Sequence, residues 1–86
     1  MTTWRSPISL LKKQADQIAK LLKKIERGEV TGGKIDAART KPCLKYGVAM
    51  DDKFISIDMP WAMIRESSEP ALAEFVLKQM MEAREQ

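Results

Sequence analysis

The chain reads as an α+β domain in the order helix, antiparallel β-hairpin, short helical turn, helix. Three patterns predict it. Apolar residues recur at helical spacing over about residues 7–27, alternate at strand spacing over 43–59, and return to a helical pattern after Ser68. With 86 residues, 44% of them apolar and 31% charged, the composition is that of a single small globular domain rather than a disordered segment. A chain this short buries only roughly 60–65% of the surface its unfolded form exposes. Its core is therefore thin, and most of its apolar residues are needed to build it.

The first helix is read over 7–27, with Ser6 as its cap and Pro7 at its first position, where a missing N–H does no harm. Ile8, Leu11, Ala15, Ile18, Leu22 and Ile25 alternate three and four residues apart, the seam of a helix that packs along another helix. Gly28 is placed to stop it. Residues 1–6 precede it as an N-terminal arm. Residues 28–42, with Gly32, Gly33 and Pro42, read as connection, with a short strand or turn near Lys34–Ala38.

From Cys43 the pattern has period two. Leu44, Tyr46, Val48 and Met50 share one face, opposite Lys45 and Gly47. Asp51 and Asp52 interrupt it, and Ile55, Ile57 and Met59 resume it opposite Ser56 and Asp58. Two such runs about a short polar turn make a hairpin, which needs helices to cover it. Pro60 opens a helical turn through Trp61, Met63 and Ile64, and Ser68 caps the last helix with Pro70 in its first turn. Leu72, Ala73, Phe75, Val76, Leu77, Met80, Met81 and Ala83 cover more than half of that helix's circumference. Such a helix requires cover from two sides. The hairpin can supply one, and the first helix or a second copy of the chain the other.

The residue inventory removes most chemistry. There is no histidine, hence neither the commonest general base nor the commonest metal ligand, and one cysteine alone builds no structural zinc site. Gly28 to Lys34 nearly matches the phosphate-binding loop. It fails at Ile35, where a hydroxyl is needed for magnesium, and it follows a helix where the motif follows a strand. Asp51-Asp52 is read as turn chemistry, Ser67 and Ser68 as helix capping, and Cys43 as a small half-buried apolar residue without a base to activate it. No catalytic residue, metal or cofactor is expected, and the chain is read as a non-enzyme.

Interaction surfaces remain. The formal charge is +3. Residues 1–30 carry seven Lys/Arg against three acids, whereas residues 65–86 carry three against five. Arg5, Lys13, Lys20, Lys24 and Arg27 form a basic face that can follow a phosphate backbone, with Trp4, Tyr46 or Trp61 to stack on bases. Trp4 with Ile18, Leu22 and Ile25 forms the candidate protein-binding set, through which two chains would pair as a homodimer. A lone cysteine, an N-terminus without an apolar leader and no membrane-length apolar run point to the cytoplasm, with no membrane partner. The expected function is non-enzymatic binding of another protein, as an accessory subunit or a modulator of a host factor. Nucleic-acid binding through the basic helix is the alternative, and a small enzyme or ligand-binding domain the third reading.

Overall fold

The structure, a computed structural model, describes residues 6–85. Its elements are α1 (Ile8–Glu26), α2 (Gly33–Ala38), β1 (Cys43–Met50), β2 (Lys53–Pro60), α3 (Trp61–Glu66) and α4 (Glu69–Arg84). The helix–hairpin–short helix–helix order is the one the sequence predicts.

α1 ends as its sequence dictates. Gly28 takes φ 84, its N–H reaches the Ile25 carbonyl at 3.1 Å, and the Glu29 N–H reaches that of Lys24 at 2.9 Å. This is the left-handed stop that glycine supplies without a Cβ penalty. Its start departs from expectation. Pro7 is the capping residue, extended at φ −60 and ψ 150, and no side chain caps the helix. Ser6 is instead buried, with its backbone engaged by distant residues.

β1 and β2 pair antiparallel, setting Leu44 opposite Met59, Tyr46 opposite Ile57 and Val48 opposite Ile55. One face of the hairpin thus carries the apolar set, and Leu44, Val48, Met50, Ile57 and Met59 are buried in it. α1 packs chiefly on α4, while α3 and α4 meet β2. Leu72, Ala73, Val76 and Met80 of α4 fill the space between α1 and the hairpin. The second cover that α4 requires therefore comes from α1 of the same chain. α4 begins as read, Ser68 Oγ accepting from the Ala71 N–H at 3.3 Å.

Three local expectations are corrected. Within the 28–42 connection, residues 33–38 form a helix rather than a strand or turn. Long-range bonds hold that segment in place: Arg39 donates to the Ile25 and Val30 carbonyls, and its guanidinium lies 5.9 Å from the centre of the Trp61 ring. Cys43 is exposed, because its side chain falls on the outer face of the hairpin. Ile8 is 50% exposed although it continues the α1 seam. The core is closed at that end by Ser6 and the polar groups it meets.

Candidate interaction surface

Asp51 and Arg84 form the one deeply buried ion pair among the described residues, their side chains 6% and 8% exposed. Asp51 occupies the first position of the two-residue hairpin turn at φ 53, a conformation aspartate tolerates better than most residues. Its carboxylate accepts the Ser6 N–H at 2.8 Å and two Arg84 donors at 3.2 and 3.3 Å, and Arg84 also donates to the Ser6 carbonyl at 2.7 Å. The Ser6 amide above all, and then the Arg84 guanidinium, hold the Asp51 carboxyl below its usual range, against the opposing effect of burial. The cluster pins the chain before α1, the hairpin turn and the last turn of α4 to one another. Turn chemistry explains Asp51 only in part: its side chain is a long-range clamp.

Lys13, Lys20 and Lys24 lie exposed along one side of α1, as the sequence reading places them. Arg27 is exposed at the end of that stripe and paired with Glu29. Lys23 lies off it, its ammonium donating to the Ile64 carbonyl at 2.6 Å and the Arg65 carbonyl at 3.3 Å at the end of α3. The aromatic partners proposed for this face are occupied. Tyr46 is half-buried on the inner face of the hairpin, where burial pushes its phenol up. Trp61 is half-buried, its indole N–H donating to the Ala38 carbonyl at 3.2 Å. Trp4 and Arg5 lie outside the described residues.

Ile18, Leu22 and Ile25, the remaining members of the candidate protein-binding set, are 6%, 0% and 4% exposed. They are consumed by the chain's own core, so these three residues present no free surface. The near phosphate loop is likewise taken up in structure: α1 precedes it, and Gly33 and Lys34 begin the six-residue α2.

Apolar surface also stands uncovered on the far side of the hairpin. Phe54 is 75% exposed, and a Cβ on Gly47 would stand 2.5 Å from its ring. The ring therefore lies across the bare glycine backbone of the neighbouring strand. Lys45 faces Asp58, and Gly47 faces Ser56, along the same exposed face. Towards the Cys43 end this face enters a cavity of about 550 Å³ shared with α2, with Ala38 and Pro42 in its wall and Lys34, Lys41 and Lys45 around it. Phe54 shares the phase of Ser56 and Asp58, but the sequence reading gave it no role. The cavity has no signal in the sequence, because α2 was not foreseen.

Among the described residues no group of three His, Cys, Asp or Glu side chains is placed to hold a metal, and no helix is long and apolar enough to cross a membrane. The chain matches no protein-family model, no curated protein and no solved structure.

Proposed function

We propose that this protein acts by binding another protein, without catalysis, through the outer face of its hairpin. The observation that carries the reading is Phe54, the most exposed large apolar side chain among the described residues, on the outer face of the hairpin. Single exposed apolar residues are common, but this one lies across the backbone of Gly47 on the face that leads to the cavity beside α2. An accessory role in the cytoplasm suits a small binding module with one exposed, unbridged thiol.

The test is a photo-crosslinking phenylalanine analogue placed at position 54 in the source cell, with a second placed at position 20 on the basic face of α1. A discrete protein adduct from position 54, identified by mass and bound again by the purified chain, is expected. Phe54→Gln should weaken that binding. Adducts to nucleic acid from position 20, with none from position 54, would overturn the reading.

Nucleic-acid binding through Lys13, Lys20 and Lys24 is the second reading, favoured by their common exposure along α1. It requires affinity that falls steeply with salt and is lost in a Lys13→Glu, Lys20→Glu, Lys24→Glu variant.

A further inference from the structure

We infer that the β1 edge and the lysine-rimmed cavity beside it bind an extended acidic segment of the partner protein, which adds to the hairpin as a third strand. The inference rests on the protein-binding reading above and supplies the partner's chemistry. Two separate features lead to it.

The first is the strand edge. The hairpin closes through two residues, with Met50 opposite Lys53. In such a hairpin the residues adjoining the turn exchange hydrogen bonds, and every second pair beyond them does likewise. Met50, Val48, Tyr46 and Leu44 therefore direct their backbone groups to β2, while Ala49, Gly47, Lys45 and Cys43 direct theirs outward. The Ala49 carbonyl confirms this phase, because Gln14 Nε2 of α1 donates to it at 2.8 Å. Lys45 and Gly47 are exposed, and among the described residues nothing bonds their outward backbone groups. An unpaired edge of this kind is a template for another strand.

The second is charge. Lys34, Lys41 and Lys45 stand around the cavity, with Asp58 as its one acid. Cys43 and Lys45 belong both to the edge and to the cavity, so a strand laid along the edge passes its side chains beside the lysines. Alternate residues of that strand share a face and are spaced about 7 Å apart. Carboxylates at two or three alternate positions face the same side as Lys45 and pass beside the lysines, with the Ala38 and Pro42 wall lining the same cavity. A basic or neutral strand gains the same backbone bonds but no charge pairing. Specificity for an acidic partner follows.

The probe is a fluorescein-labelled peptide of alternating valine and glutamate, followed by anisotropy with the full chain. We expect saturable binding that weakens as salt rises, together with slower reaction of the exposed Cys43 thiol with a thiol reagent. Replacing Lys34, Lys41 and Lys45 together by glutamate, or by glutamine should the reversed charges harm folding, is expected to weaken binding at least about tenfold. The Lys13→Glu, Lys20→Glu, Lys24→Glu variant should bind as the wild type does. N-methylation of alternate peptide amides should abolish binding, because it removes the strand's donors. No binding, equal binding by the methylated peptide, or equal binding by the cavity variants would each overturn the inference. Displacement of the peptide by inorganic phosphate at matched charge would also overturn it, by revealing a small-anion site. Should the peptide fail while position 54 still crosslinks a protein, the inference falls and the protein-binding reading stands.

Discussion

Leu22→Ala tests whether the α1 seam belongs to this chain's own core. Leu22 is fully buried, and the seam around it meets α4. The substitution removes three carbon groups, about 2.4 kcal/mol of transfer free energy at roughly 0.8 kcal/mol each. The residual cavity raises the expected loss to about 3–5 kcal/mol. For a chain of this length total stability is about 4–13 kcal/mol, so the loss is about a quarter of it or more. A loss of about 3 kcal/mol lowers the melting midpoint by about 12–24 °C. Leu10→Ala is the internal control. Leu10 is 47% exposed on the same helix, and its truncation should cost no more than about 1 kcal/mol. Circular dichroism melts and urea titrations, each at several protein concentrations, read both. Equal losses in the two variants, within about 0.5 kcal/mol, would refute the packing argument. So would a wild-type midpoint that climbs with protein concentration while that of Leu22→Ala does not, since this would return Leu22 to an interface between chains.

Asp51 makes stability fall in acid. Its folded-state pKa is depressed, so its contribution is present above the unfolded value of about 3.9 and is lost as pH falls through the folded value. Urea midpoints between pH 2 and 7 should show this loss in the wild type and a flatter acid limb in Asp51→Asn; equal slopes would count against the clamp. Gly47→Ala should displace the Phe54 ring, at a cost of about 0.2–1 kcal/mol that disappears in a Phe54→Ala background. A double-mutant cycle with no coupling would place the ring elsewhere. Cys43→Ser should alter stability by no more than about 0.5 kcal/mol. In the native wild type the thiol should react fully with a chromogenic thiol reagent, because it is exposed; slow reaction or a large loss of stability would show it to be packed.

Much of the fold is legible because short-range backbone geometry writes it into residue spacing. The three-four recurrence of Leu11, Ala15, Ile18, Leu22 and Ile25 marks the buried side of α1, and Gly28 marks its end. The period-two alternation sets the faces of both strands, and the two aspartates between them fix a two-residue turn and hence the register. Ser68 and Pro60 announce the helices that follow them. What spacing does not carry is which surface each face meets. The α1 seam fits a second copy of the chain or α4 equally well by period, and only the packing of hairpin, α1 and α4 around one core assigns it to α4. Asp51 looks like any turn aspartate until Ser6 and Arg84, 45 and 33 residues away, arrive at its carboxylate. The α2 helix and the lysine-rimmed cavity depend on Arg39 reaching back to the end of α1 and on Trp61 bonding to Ala38. A residue's phase on its own element is local information. Its partner is decided only when all the elements share one thin core.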